Sequence, residues 1–358
     1  SINPDRYQKL YLDRIDHLRD WCLSRQIWWG HRIPVWYLGG EVEASSVSPG
    51  PGWEQDPDTL DTWFSSGAWT FSTLGWPDQT TDMQTYHPTQ WIQMGYEIVY
   101  LWMMRMILMS AYALNQIPFK DVYIHGILRD EQGKKFSKSS GNNIDPLDII
   151  QSHGCDALRW SVLIGTTPGN DSRFYEEKVE GARNLVNKLW NVSRYMLTTI
   201  SGDETAAPKE TLTDRWIQER LSAVTKSVTQ KLEAAQFSAA GEELREFTWN
   251  DLADWYLEIA KVEKGKRVIL DKILRTLLSL WHPFTPFVTE YIWKLAGYEG
   301  MVMVAPWPTV SVQPSSSTDH FLRLQELVTD MRRLRAEQHV EPSKRVTFAV
   351  SVEEALRQ

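Results

Sequence analysis

The sequence predicts an α/β layer followed by an all-α bundle, and three observations carry that prediction. An apolar helical stretch, residues 94–114, leads into Val122-Tyr-Ile-His-Gly-Ile-Leu128, a β-branched and aromatic run that reads as a buried strand. From Ile149 onward the apolar period becomes helical and stays so through 176–200, 212–235, 239–262, 265–280 and 286–295. The chain has 358 residues, 42% hydrophobic and 23% charged, an ordinary globular composition that excludes disorder and collagen-like repeats.

Taken in order, residues 7–18 carry a helical pattern, and residues 21–37 are rich in tryptophan. Residues 39–52 are rich in Gly, Ser and Pro and read as an exposed loop. The helix of 94–114 is expected to open after Gly95. Its apolar part, 98–114, is short for a membrane span and has Arg105 in its middle, so a buried helix and no membrane partner are expected. After the bundle come a Ser-rich linker at 311–318, a helix over 319–338 and a short strand over 345–350.

Net charge is −8, so any contact with RNA must come from local Lys and Arg patches. Two cysteines, Cys22 and Cys155, are too few for a disulfide framework or a structural zinc site, and no metal-ligand cluster stands out. With no secretory leader visible at the start, a reducing cytoplasm is the expected compartment.

The segment Gly133-Lys-Lys-Phe-Ser-Lys-Ser-Ser-Gly-Asn142 sets Lys134, Lys135 and Lys138 beside Ser137, Ser139 and Ser140 between two glycines. Cations and short hydroxyl donors on a flexible loop suit a triphosphate, whose charge must be neutralised as the leaving group separates. A solvated basic turn has the same composition.

Residue order separates the two readings. Lys135-Phe-Ser-Lys-Ser139 resembles the Lys-Met-Ser-Lys-Ser signature of class I aminoacyl-tRNA synthetases, with Phe136 in the methionine place, where it is expected to pack. Trp21-Cys-Leu-Ser-Arg-Gln-Ile-Trp-Trp-Gly-His-Arg-Ile-Pro34, Leu60-Asp-Thr-Trp-Phe-Ser-Ser-Gly67, Phe71-Ser-Thr-Leu-Gly-Trp-Pro77 and Gly95-Tyr-Glu-Ile98 add to it. In this order they resemble the valyl branch of that family over nearly the whole chain.

The resemblance implies the second half of a class I synthetase Rossmann-type catalytic domain followed by an α-helical anticodon-binding bundle. It implies four regions: catalytic over 1–125, signature loop and stem contact over 126–178, anticodon-binding over 179–305, and a linker with the start of a C-terminal region over 306–358. The implied activity is ATP-dependent activation of valine to valyl-adenylate and transfer to tRNA(Val), with Mg2+ accompanying ATP. Lys135 and Lys138, with Ser137 and Ser139, would act on the phosphates, Lys138 foremost. Gly95, Glu97, His125 and Gly126 would hold the nucleoside. The family carries aspartate where Glu97 stands, and Glu97 alone also reads as a first-turn acid opposing the helix dipole. His125 alone also reads as a core histidine.

Trp63, with Asp61, resembles the wall against the amino-acid side chain, where one methylene is worth about 1–3 kcal/mol. Ser24, Arg25, Gln26 and His31 would hold a domain junction, and Arg173 would meet either a phosphate or a carboxylate. Arg183, Asn187 and Asn191, at i, i+4 and i+8 before a core face of Leu185, Val186 and Leu189, would present polar groups to unpaired bases, although a solvated face has the same pattern. Arg332, Arg333 and Arg335 would meet RNA phosphates or simply form a charged helix face. The segment from Trp281 to Pro286 would serve packing.

The family's second signature, His-Ile-Gly-His, has no counterpart here, nor has its editing domain. The expectation is a C-terminal part of a longer enzyme, with the other half of the ATP site coming from preceding residues or a second chain. Alone, this polypeptide is expected to activate valine poorly. A non-catalytic tRNA-binding relative and an isoleucyl or leucyl fragment are the competing readings.

Overall fold

A computed structural model describes residues 1–137, 140–202, 210–309, 316–341 and 343–350. The chain divides into two compact units, Ser1–Asn143 with Gly165–Tyr175, and Ile144–Ile164 with Glu176–Gln358. The region expected over 126–178 is therefore shared between them.

In the first unit the order is β1 (Ile2–Asn3), α1 (Arg6–Asp16), β2 (Ser24–Arg25), β3 (Val35–Leu38), β4 (Glu41–Ala44), β5 (Glu54–Gln55), β6 (Thr59–Leu60), α2 (Thr62–Ser72), α3 (Thr81–Tyr86) and β7 (Thr89–Gly95). A 3-10 turn (Tyr96–Ile98) and a π turn (Val99–Met103) then lead into α4 (Met104–Leu114), β8 (Phe119–His125), β9 (Leu128–Arg129) and, after an excursion into the second unit, β10 (Ser172–Arg173).

The main sheet has the order β1-β8-β7, with both pairings parallel. Ile92 and Met94 of β7 alternate with exposed Trp91 and Gln93, so one face of the strand is buried. Val122 and Ile124 do the same on β8. Val99, Met103 and Met106 cover this face at helical spacing, with Ile2, Tyr7 and Tyr11 packed at its margin. Asn115 ends the helix in the left-handed conformation, φ 53°, a helix stop that asparagine tolerates.

The helix opens after Gly95 as expected, at Tyr96, because Met94 and Gly95 complete β7. Three expectations need correction here. The stretch Tyr96–Leu114, apolar and long enough for a membrane span, buries only one face: Tyr112 is 95% exposed, and Arg105 stacks over the Trp21 ring at 4.1 Å. The loop of 39–52 holds β4, paired antiparallel with β3 around Gly39-Gly40; two glycines at positive φ make the tight turn such a hairpin requires. Residues 345–350 form no strand, since no neighbouring strand pairs with their backbone.

The second unit is helical: α5 (Pro146–His153), α6 (Cys155–Leu163), α7 (Glu176–Gly202), α8 (Leu212–Glu233), α9 (Phe237–Glu246), a π segment (Phe247–Tyr256), α10 (Leu257–Ala260), α11 (Arg267–Trp281), α12 (Pro286–Leu295), a 3-10 turn (Val302–Val304) and α13 (Ser316–Glu337). The helix expected over 239–262 is thus interrupted by a π segment, and the linker of 311–318 lies largely outside the described residues. Trp281 serves packing as expected, its ring 5.0 Å from Trp160. A Cβ on Gly241 would come within 3.0 Å of that Trp160 ring, so α9 needs glycine there despite its helix cost. Phe321 fastens α13 to α8, its ring 4.0 Å from that of Trp216.

One charge cluster pins the start of α8. Thr211 and Asp214 form a reciprocal capping box. Lys266, buried just before α11, donates to both Asp214 oxygens at 2.7 and 2.8 Å and pairs with Glu263. The Tyr256 hydroxyl donates to Asp214 at 2.9 Å. Burial would raise the Asp214 carboxyl, but Lys266, the Thr211 N–H and the Tyr256 hydroxyl outweigh it and hold it low. Lys266→Met leaves Asp214 buried without its cation and should destabilise the unit by about 3–5 kcal/mol in urea unfolding at neutral pH. Asp214 has a lowered folded pKa, so its stabilisation is present above about pH 3.9 and is lost as pH falls through the folded value. The gap between variant and parent should accordingly narrow in acid.

Candidate functional site at the strand ends

Parallel pairing places Gly95 of β7 opposite His125 of β8, so two strand ends open side by side. Crevices outside the carboxyl ends of parallel strands are where open α/β sheets bind ligands. At this edge Glu97 is exposed and folds its carboxylate back over Gly95, into the space a Cβ at position 95 would take. The His125 ring is half-buried, its Nδ1 2.6 Å from the Gly126 carbonyl oxygen.

Gly126 is a glycine for a different reason than the expected approach of a nucleoside. A Cβ there would collide with the backbone of Asn170 and Asp171, so this chain's own main chain makes the close approach. The 168–174 segment is held there by several bonds. Arg6 donates to Asn170 Oδ1 at 2.8 Å, the Tyr7 hydroxyl donates to the Gly169 carbonyl at 3.1 Å, and β10 pairs parallel with β9.

The basic loop grows out of β9 as a hairpin. The Asp130 N–H donates to the Lys134 carbonyl at 2.9 Å, the Lys134 N–H donates back to Asp130 Oδ1 at 2.7 Å, and the main chains of Arg129 and Lys135 form an antiparallel β-bridge. Asn142 staples the far side: its amide donates to Asp130 at 2.8 Å and to the Lys135 carbonyl at 3.2 Å, and its oxygen accepts the Ser137 N–H at 3.0 Å. That amide holds the Asp130 carboxyl below its usual range. Phe136 meets the buried Phe174 ring edge-on, with centroids 6.5 Å apart, which is packing as expected. The Lys135 side chain is exposed. Lys138 and Ser139 lie outside the described residues. Arg173 runs alongside Gly133.

Asp61 and Trp63 begin α2. Asp61 is buried and committed: Trp21 Nε1 and Arg25 donate to one oxygen at 2.8 and 2.9 Å, and the Trp63 N–H donates to the other at 3.4 Å. Burial would raise this carboxyl, yet the Trp21 indole, the Trp63 N–H and the Arg25 and Arg105 charges hold it low. Arg25 thus acts structurally. The Trp102 indole of the π turn donates to the Ser66 carbonyl at 2.9 Å, which joins α2 to the element that follows Gly95.

On α7, Arg183, Asn187 and Asn191 are all exposed, while Leu185 and Leu189 are buried and Val186 is partly so. On α13 the three arginines already have partners in the chain. Arg332 stacks over Trp255 at 5.4 Å, Arg333 pairs with Asp330 at 3.0 Å, and Arg335 donates to the Glu341 carbonyl at 2.7 Å. Among the described residues no group of three His, Cys, Asp or Glu could hold a metal ion.

Sequence reasoning missed Asp171, Arg129 and Tyr96, which join in one bonded cluster. Asp171 sits two residues before Arg173, in a Gly-Asn-Asp turn that reads as an ordinary loop.

Comparison with known proteins bears on both units. Residues 1–48 and 46–175 match the family model "tRNA synthetases class I (I, L, M and V)", and residues 214–351 match "Anticodon-binding domain of tRNA ligase". A valine–tRNA ligase of Carboxydothermus hydrogenoformans is 45% identical over 96% of this chain and 42% of its own length. One from Geobacillus kaustophilus is 42% identical over 98% of this chain and 42% of its own length. The chain therefore spans less than half the length of these curated relatives. Among solved structures, an Agrobacterium radiobacter K84 agnB2 LeuRS-tRNA-LeuAMS complex superposes with TM-score 0.70 at 22% identity, over 85% of this chain and 45% of that one. Methionyl-tRNA synthetase of Mycobacterium tuberculosis in complex with methionyl-adenylate gives 0.67 at 18% identity, over 88% of this chain and 63% of that one. At such identities the superpositions establish the fold: a Rossmann-like half with a helical anticodon-binding domain. The chain belongs to the class I tRNA synthetases of the I, L, M and V group.

Proposed function

We propose that the polypeptide carrying this sequence is a valine–tRNA ligase. The single observation that carries the reading is the strand-end edge, where Gly95 lies opposite His125 and the basic hairpin leaves β9 beside them. The amino acid is inferred from the valine–tRNA ligases that share 45% and 42% identity with it.

In this reading the nucleoside of ATP lies against Gly95 and His125, with Glu97 accepting from the ribose hydroxyls. A carboxylate oxygen of valine attacks the α-phosphorus, the bond to the bridging oxygen breaks, and pyrophosphate leaves with the electron pair. Lys135 and Lys138 neutralise that leaving charge, with Ser137 and Ser139 as hydroxyl donors. A hydroxyl of the terminal ribose of tRNA(Val) then attacks the carbonyl, and AMP departs. Magnesium would accompany the triphosphate. Trp63 forms the apolar wall against the valine side chain, while Asp61 caps and orients the start of that helix. The exposed face of Arg183, Asn187 and Asn191 reads unpaired anticodon-arm bases, and Arg332, Arg333 and Arg335 lie on a further helix open to phosphates. The working compartment is the cytoplasm, which suits two unpaired thiols.

In the native polypeptide, Lys135→Ala should lower valine-dependent ATP–pyrophosphate exchange by about 10²–10³-fold with little change in the KM for valine. Asn187→Ala with Asn191→Ala should weaken tRNA(Val) binding about 30-fold, at roughly 1 kcal/mol per lost hydrogen bond. Because both asparagines are exposed, the circular dichroism of the double variant should match the parent.

A further inference from the structure

Asp171 receives donors from three separate elements of the first unit. The Ile127 N–H, just past the end of β8, donates to Oδ1 at 2.8 Å. The Tyr96 hydroxyl, from the residue between Gly95 and Glu97, donates to Oδ2 at 3.3 Å. Arg129 Nε, on the strand that launches the basic hairpin, donates to the same oxygen. Arg129 goes on to the loop itself: its Nη1 donates to the Gly133 carbonyl at 3.3 Å, and its main chain forms an antiparallel β-bridge with that of Lys135. Neighbours hold the carboxylate in place: the Ser172 N–H donates to the Ile127 carbonyl at 3.2 Å and the Phe174 N–H to the Arg129 carbonyl at 2.8 Å. Tyr96 is braced from its other side by the Tyr7 ring, stacked at 6.4 Å.

We propose that Asp171 is a positioning residue that fixes the basic loop relative to the strand-end edge. It touches neither edge as a ligand would; it acts through Tyr96, Ile127 and Arg129. This inference rests on the functional reading above. Adenylate formation needs the Lys135 charge placed correctly against a nucleoside held at Gly95 and His125, and a misplacement of about 1 Å can cost about 10²-fold in rate. Without Asp171, the link that carries Tyr96 and Ile127 to Arg129 through one carboxylate is lost, and a glycine, Gly126, stands in the main chain between the strand end and the hairpin. The charge of Asp171 matters because Arg129 would otherwise be released to solvent or to ATP phosphates, moving the loop with it. Burial works against this carboxylate, and the Ile127 N–H and the Arg129 guanidinium overcome that cost and keep it ionised.

The test is ATP–pyrophosphate exchange by the native polypeptide in Asp171→Asn, Arg129→Gln and their double variant, with Tyr96→Phe as a milder change and Lys135→Ala as reference. Asparagine keeps one oxygen to accept from the Ile127 N–H and puts an uncharged amide nitrogen where the other oxygen accepts from Tyr96 and Arg129, so the ion pair is lost in a side chain of the same shape. Asp171→Asn should lower kcat between tenfold and about 10²-fold, leave the KM for valine within about twofold and leave the unfolding midpoint unchanged. The double variant should be no slower than the worse single variant, because both remove one interaction. Tyr96→Phe should lower kcat severalfold in the same pattern. A rate within twofold of the parent in Asp171→Asn, with Lys135→Ala strongly impaired, overturns the positioning role alone. Additive effects of the two single variants overturn it as well. An unimpaired Lys135→Ala overturns the functional reading, and the positioning role with it.

Discussion

Everything the first unit can offer a ligand depends on the parallel pairing of Thr89–Gly95 with Phe119–His125. Parallel strands need a crossover of a dozen or more residues, and residues 96–114 supply it with a helix whose Val99, Met103 and Met106 bury the sheet face. Pairing in this register brings Gly95 and His125 to the same level. Glu97 is carried there by the first turn of the crossover, and Gly126 by the chain leaving the second strand. A slip of one residue would turn the buried face of either strand outward, so the apolar side chains in the core also set where the polar edge lies.

A second constraint fixes what stands beside that edge. The 168–174 segment comes back across the strand end closely enough that only glycine fits at position 126. Its anchors reach the first helix through Arg6 and Tyr7, the crossover through Tyr96 and the basic hairpin through Arg129. The hairpin carries its own internal brace in Asn142. A loop of cations is useful to a phosphate only when its charges are held where charge develops, and these side-chain bonds supply the holding. The helical unit uses the same device for stability: the Lys266, Asp214 and Tyr256 cluster ties the start of α8 to the segments before α11 and α10.

Much of this was legible in the residues. The helical periods of 176–200, 212–235, 265–280 and 286–295 returned as helices within a few residues of their expected ends, because each buries one face and carries its own stop signals. The exposure of Arg183, Asn187 and Asn191 over buried Leu185 and Leu189 followed from spacing alone. What escaped depended on distant partners. Nothing local marks Asp61 as the acceptor for Trp21 and Arg25, or Asp171 as the acceptor for Tyr96 and Arg129, since the partners lie between 36 and 75 residues away. The β-branched run at 345–350 looks like a strand by composition, yet a strand exists only where another pairs with it. The hairpin at Gly39-Gly40 was hidden because its glycines also suit an open loop.

In the proposed function this edge, with its hairpin and the Trp63 wall, activates valine. This is tested most directly by the kcat/KM of ATP–pyrophosphate exchange in the native polypeptide with valine, isoleucine and leucine as the amino acid. The highest value is expected for valine, with isoleucine lower by a factor of about 10–200, the worth of one methylene in an apolar pocket. A higher value for isoleucine or leucine, or no exchange with any of the three from a polypeptide that still binds tRNA(Val), would contradict it.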